Sequence, residues 1–240
     1  TLSAMNGIYA EGLDSAVLDT MYESGFRRLN FSLVDASDSL LSRQKRAGTA
    51  SFVRLLPYLE ASSFLTETHF IIGLPGQSPK EVLETIIFLM GRRLLLGPSI
   101  FYPAPNSPIF RDIVGETWQP LLKSLRSSAM FSRDQTFPRS ARYTLMKLVR
   151  FVNYVKGRLD EEGVSGRLSE LLSPVAAADS LEDLVLRTLL LQKRFVWRNT
   201  KTGELVDEPQ DQDLVRLFFL MARGKTIKGF KTFNTVIVDL

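Results

Sequence analysis

The sequence predicts an α/β fold with a parallel sheet, continued by a mostly helical tail that carries one small hairpin. Three observations lead to this reading. Apolar or alternating runs of strand length take turns with amphipathic helical stretches over the first 110 of 240 residues. At residues 69–81 an apolar strand runs into a turn carrying Gly73, Pro75 and Gly76, and a helix begins at once. After Pro103 the strand signals thin out and helical periodicity takes over.

The elements come in this order. Residues 2–8 read as a strand, residues 15–24 as a helix broken at Gly25, and residues 28–33 alternate like a second strand. Ser37 or Asp38 caps the segment after that strand. A helix over residues 51–62 leads to a third strand over 67–73. Residues 79–90 form a helix whose apolar face is Val82, Ile86, Leu89 and Met90. Pro79 and Glu81 in its first turn, behind Ser78, mark its start. A fourth strand is read over residues 98–102. Strands and helices of this length in alternation imply βαβ units, hence part of a β/α barrel or a doubly wound sheet.

Three prolines stiffen the loop Tyr102-Pro103-Ala104-Pro105-Asn106-Ser107-Pro108. Residues 140–161 give the clearest helix, with Leu145, Leu148, Val149, Val152 and Val155 on one side. Arg139, Arg142, Lys147 and Arg150 fall near the other side, which reads as a solvated basic face. Helices over 181–191 and 211–223, a hairpin of 195–198 with 204–206, and a last strand over 235–238 complete the tail. Gly203 supplies the hairpin with a residue tolerant of positive φ. No linker-like boundary separates residues 1–110 from the extension 111–240 into independent domains.

Composition narrows the setting. Thirty Lys and Arg against 26 Asp and Glu leave a net charge of only +4, too little to argue for nucleic acid. No apolar run approaches the roughly 18 residues of a membrane span, and residues 1–12 lack a signal-peptide pattern. A cytoplasmic protein is the expectation. Cysteine is absent, which excludes disulfides and thiolate metal ligands within the chain. With one histidine, His69, no metal site is read.

The turn at residues 73–76 is the place to look for a site. Glycines there let backbone amides approach a ligand, and the helix start beyond favours polar or anionic groups. In parallel α/β folds, ligands bind at the carboxyl ends of the strands. Counting alternation, Glu67, His69 and Ile71 share one face of their strand, while Thr68, Phe70 and Ile72 share the other. His69 then either faces substrate or is a hydrogen-bonded structural histidine. Met5, Met21, Met90 and the phenylalanines are assigned to the core.

Taken in succession, Asn6-Gly7-Ile8, then Gly25-Phe26-Arg27-Arg28-Leu29-Asn30-Phe31-Ser32-Leu33, then Ile71-Ile72-Gly73-Leu74-Pro75-Gly76-Gln77 resembles the latter half of a radical S-adenosylmethionine enzyme. The later Phe101-Tyr102-Pro103-Ala104-Pro105-Asn106-Ser107-Pro108 adds to the likeness. The branch it resembles most places a cobalamin-binding domain before the radical domain. The likeness covers roughly the first 110 residues and implies the C-terminal half of a partial TIM-like (β/α) barrel. It also implies S-adenosylmethionine and a [4Fe–4S] cluster as cofactors, with cobalamin added in that branch. Such enzymes hold the cluster through a CxxxCxxC loop, whereas this chain has no cysteine. Truncation is the economical reading: the cluster loop and any cobalamin domain belong to a missing N-terminal part, and an unpaired edge on residues 2–8 should make the isolated chain aggregate or borrow a partner. A degenerate homologue without a cluster is the alternative.

The resemblance assigns roles by position. Asp35, just past the second strand, corresponds to a polar residue near the ribose, where a carboxylate would make charge-assisted hydrogen bonds; its other reading is a turn residue around Ser37 and Asp38. Ser32 either reaches the pocket or satisfies backbone. Asn6 either faces substrate or forms a turn before Gly7. Gly73, Pro75 and Gly76 match a loop packed near the adenine, with Gln77 at its exit and Ile71 or Leu74 as flanking side chains. Tyr102 and Pro103 fall where adenine-flanking backbone is expected, with barrel-mouth packing as the alternative for Tyr102. The implied chemistry is a 5′-deoxyadenosyl radical that abstracts hydrogen from a substrate the sequence does not name. The helical tail is expected to cover the barrel mouth, a role testable by deleting residues 118–240. Two other classes stay open: a cluster-less scaffold or nucleotide-binding module, and a nucleic-acid module using Lys225, Lys228 and Lys231 with Arg139, Arg142 and Arg150.

Overall fold

The computed structural model describes residues 1–104, 107–109, 111, 137–172 and 181–240. Pro105 and Asn106 of the proline-rich loop, and Trp118 at the expected start of the tail deletion, lie outside the described residues.

Strands β1 (Leu2–Ile8), β2 (Phe26–Val34), β3 (Leu65–Ile72) and β4 (Leu95–Ile100) form one parallel sheet in the order β1-β2-β3-β4. Helix α1 (Ser15–Glu23) joins the first two strands, α2 (Asp38–Arg43) and α3 (Ala50–Ala61) the next two, and α4 (Pro79–Met90) the last two. A sequential order with no reversal decides between the two sheet types left open by the sequence. A doubly wound sheet changes direction at a switch point and carries helices on both faces. Among the described residues one face is covered: Leu29, Phe31, Phe70 and Ile72 pack in a single core with Leu18 of α1, Leu55 of α3 and Val82 of α4. On β3 the covered residues alternate with half-buried ones on the other, open face. The architecture is that of part of a (β/α) barrel.

Local chemistry explains the boundaries. Asp14 caps α1 by accepting from Val17 N at 2.9 Å, and Ser37 caps α2 by accepting from Leu40 N at 3.3 Å. Ser78 and Glu81 form a reciprocal capping box at α4, which begins and ends where the sequence places it. Strand β4 lies earlier than expected, at Leu95–Ile100 rather than residues 98–102. Pro98 sits inside it without harm because β4 is an outer strand.

Helix α5 (Arg139–Glu162) runs along β4 and α4, so its apolar side joins the sheet's own core. Among the described residues there follow strand β5 (Gly166–Arg167), a 3-10 turn (Leu168–Leu171), helix α6 (Leu181–Gln192), the hairpin β6 (Val196–Arg198) with β7 (Leu205–Asp207), helix α7 (Gln212–Ala222), and strands β8 (Thr226–Lys228) and β9 (Thr235–Ile237). Strands β5, β9 and β8 make a second small sheet. Two expectations change. The polar side of α5 is not simply solvated, since Arg142 and Lys147 are buried. Met5 and Phe233 lie outside the core at 63% and 73% exposure, Met5 because it projects from β1, an outer strand.

Candidate functional site

The open face of the sheet carries a cleft of about 270 Å³ lined by Met5, Gly7, Ser32, His69, Ile71 and Ser99, among others. Strand register builds it. Ser32 pairs with His69, Ile71 with Ser99, and His69 with Gly97, which sets these side chains in one layer across β2, β3 and β4. Two residues earlier on the same face, Asn30 pairs with Glu67. Asn30 is buried and donates from Nδ2 to Met5 O at 3.3 Å, while its Oδ1 is shielded and has no hydrogen-bond partner among the described residues. His69 Nε2 is likewise shielded and unpartnered by hydrogen bonds, with Glu67 Oε1 3.6 Å away. Gly97 makes the room for both: a Cβ there would stand 2.7 Å from His69 Nδ1 and 2.9 Å from Glu67 Oε1.

The strands break step where they meet the cleft. β1 shifts register between Ala4 and Ile8 through Gly7, whose φ is 76° and whose absent Cβ would lie 3.4 Å from Ser32 Cβ. β2 shifts between Ser32 and Val34, and Val34 takes φ 70°, a strained conformation for a β-branched residue. Asp35 N donates to Leu33 O at 2.9 Å, closing a tight three-residue turn about Val34.

A buried network holds that turn. Asp35 is fully buried; its Oδ1 accepts from Ser37 N and its Oδ2 from Gln77 Nε2, both at 2.6 Å. Burial raises the Asp35 carboxyl above its ordinary range, and these hydrogen bonds oppose the rise. Gln77 Nε2 also donates to Ile71 O at 3.0 Å. Its Oε1 accepts from Gly73 N at 2.7 Å and from Leu74 N at 3.0 Å. The loops after β2 and β3 are therefore clamped together by two side chains.

Asp35 carries the contacts of a turn residue, through Ser37 N and Gln77 Nε2. The amides of Gly73 and Leu74, expected to face a ligand, are taken by Gln77, and the α4 N-terminus is closed by Ser78 and Glu81. The close approach that Gly73 permits at φ 87° is made by Arg142, whose Nε would lie 2.5 Å from an added Cβ. Gly76, at φ 73°, has open space where its Cβ would be, and Pro75 O accepts from Gln44 Nε2 at 3.0 Å. Ser32 lines the cleft. Tyr102 is half exposed and Pro103 buried just past β4, where Phe101 N still donates to Ile72 O at 2.9 Å. Asn6 occupies the irregular stretch of β1; its side chain lies outside the described residues. Asn30, Glu67, Gly97 and Ser99 complete the site without having been singled out as ligand-facing. For Asn30 the signal was available, since the same period of two that groups Glu67 with His69 groups Asn30 with Ser32.

The donor set limits cofactors. With no cysteine in the chain and no cluster of three or more His, Asp or Glu side chains suited to a metal among the described residues, these residues do not fit an iron–sulfur cluster. No helix among the described residues is long and apolar enough to cross a membrane. The basic residues proposed for nucleic acid do not form a free set: Arg142 is buried and Lys228 pairs with Glu60 at 3.0 Å.

No family model matches the sequence, and no curated protein matches it. Among solved structures, the chain is similar to the radical S-adenosylmethionine methyltransferase TsrM from Kitasatospora setae, determined with cobalamin and a [4Fe–4S] cluster bound. There the identity is 19% and the TM-score 0.38, over 44% of this chain and 22% of that one. It is also similar to coproporphyrinogen III oxidase (HemN) from Escherichia coli, a radical SAM enzyme, at 16% identity and a TM-score of 0.39, over 85% of this chain and 41% of that one. The chain thus spans less than half the length of either protein.

Proposed function

We propose that the chain supplies the substrate-facing and S-adenosylmethionine-facing wall of a radical S-adenosylmethionine enzyme, with the open-face cleft as its chamber. The observation that supports this reading is the polar layer on the open face of the sheet. Asn30 Oδ1 and His69 Nε2 are shielded there without hydrogen-bond partners among the described residues. An unmet buried polar atom costs about 1–3 kcal/mol, which a ligand in the cleft would recover. The ordered motifs from Asn6 to Gln77 support the same family.

In this reading Ser32 and Ser99 offer hydroxyls to the ligand and Ile71 offers apolar contact beside the adenine. Leu74 is buried against Leu40 and Leu41 and supports the loop from behind. Gly76 and Pro75 shape the rim, with Tyr102 and Pro103 at the next strand end. Asp35 and Gln77 act one step back by fixing the two loops. His69 is the imidazole of the cleft, with Glu67 Oε1 3.6 Å from its Nε2 and close enough to orient it. The iron–sulfur cluster would be held by residues outside this sequence, and cobalamin belongs to the proposal only through the branch that the motifs resemble.

The test uses the intact gene product containing this chain, reconstituted anaerobically with iron and sulfide. Reduction in the presence of S-adenosylmethionine should release 5′-deoxyadenosine, read by mass spectrometry, and His69→Ala should lower turnover of substrate. A reconstituted protein that forms no cluster and no 5′-deoxyadenosine would overturn the reading and favour the cluster-less scaffold.

A further inference from the structure

A second cavity, of about 430 Å³, opens between α5, α6 and β6 and shares no lining residue with the cleft. Phe151 of α5 and Leu181, Val185, Leu186 and Leu189 of α6 give it an apolar wall. Its size falls in the range of small-molecule sites, and such sites pair an apolar wall with a few convergent polar groups.

The polar groups gather on one side. Tyr143 donates from its hydroxyl to Glu208 Oε2 at 3.1 Å, and Lys147 pairs with the same carboxylate. The Lys147 ammonium also lies 4.4 Å from the centre of the Tyr143 ring and 5.2 Å from that of Phe195. Burial pushes the Tyr143 hydroxyl up and the Lys147 ammonium down, as expected for groups held away from water. Glu208, the acidic residue of the lining, is thus engaged twice. Arg150 lines the same cavity, close enough for its charge to act on both Tyr143 and Lys147. It forms no ion pair with an acidic side chain among the described residues. With Lys147 balanced by Glu208, Arg150 is the positive charge of the lining left without an ion pair among the described residues.

We propose that this cavity binds a small carboxylic acid with an apolar body. The hydrocarbon lies against Phe151, Val185 and Leu189, and the carboxylate meets the Arg150 guanidinium. Cationic ligands meet the unpaired guanidinium and gain no free carboxylate. Neutral apolar ligands gain the wall but not the ion pair. The site is independent of the radical-enzyme reading and stands or falls without it.

Octanoate is the probe, titrated calorimetrically into the full chain. Saturable one-to-one binding is expected. Arg150→Gln, at an exposed position, should weaken it about tenfold, the equivalent of one charge-assisted contact. Octanol should bind more weakly than octanoate by a similar factor. Val185→Trp should abolish binding by filling the cavity, with circular dichroism showing that the fold is kept. Absence of saturable binding up to about 10 mM, a range that covers weak small-ligand sites, would overturn the proposal. So would equal affinity for octanoate in wild type and Arg150→Gln, or octyltrimethylammonium binding as well as octanoate.

Discussion

Asn153 pairs with Leu96 as a strand would. Its Oδ1 accepts from Leu96 N at 3.1 Å and its Nδ2 donates to Leu96 O at 2.8 Å. Strand β4 is one of the two outer strands of the sheet, and an exposed edge invites pairing with other chains. Helix α5 covers that edge and lends it a side-chain amide with the donor and acceptor of a peptide group. Replacing Asn153 by Ala should leave both backbone groups of Leu96 unmet in a partly buried place and cost about 2–3 kcal/mol. Asn153→Asp should recover little of this, because a carboxylate can accept from Leu96 N but repels Leu96 O. Urea unfolding of the three proteins checks the order.

Lys156 predicts a dependence on pH. Its ammonium is fully buried and donates to Met90 O at 3.0 Å, Arg92 O at 2.7 Å and Lys228 O at 2.9 Å, tying α5 to the end of α4 and to β8. Burial lowers it from 10.5 to about 7. Between those values the unfolded chain carries the proton more often than the folded one, so stability rises with pH. The slope should approach about 1.4 kcal/mol per pH unit from this group alone. Unfolding measured from pH 7.5 to 9 should show the rise in wild type and lose it in Lys156→Met, whatever the midpoint of that variant. A flat wild-type profile would contradict it.

Gln77 is the residue on which the two loops depend. Gln77→Ala would strip partners from Gly73 N, Leu74 N, Ile71 O and Asp35 Oδ2 together. A loss of about 2–4 kcal/mol is expected, the scale of a broken buried network. Hydrogen exchange should quicken first at the Gly73 and Leu74 amides. Unchanged protection there would mean that the loop is held by something else.

The repeating strands and helices are legible in the sequence because each obeys a local period and carries its own stop signals. The α4 limits can be read because Ser78, Pro79 and Glu81 encode the start within four residues. β4 is easily misplaced because Leu94, Leu95 and Leu96 form an apolar run with no period to assign, and Pro98 looks like a beginning. β5 and β8, of two and three residues, are too short to show alternation at all. Site chemistry is less legible, because its partners are remote in sequence. Gln77 meets Asp35 from 42 residues away, and Lys156 finds its carbonyls 64 to 72 residues away. A polar residue on a helix gives no local hint that another segment will bury it, which is why Arg142 and Lys147 read as solvated.

Gly97 and His69 offer a direct test of the cleft's geometry. The imidazole and the Glu67 carboxylate fill the space that a Cβ at Gly97 would claim. Gly97→Ala should therefore push the His69 ring toward the cleft. Because its side chain is 35% exposed it can move, and the cost should stay near 1 kcal/mol, the low end for overpacking. His69 is the only histidine in the chain, so one imidazole resonance reports the displacement. The stability cost should also depend on the ring itself. In a His69→Ala background Gly97→Ala should cost less, giving a coupling of about 0.5–1 kcal/mol in a double-mutant cycle. Equal costs in the two backgrounds, with an unmoved imidazole signal, would place His69 elsewhere than against Gly97 and remove it from the cleft layer.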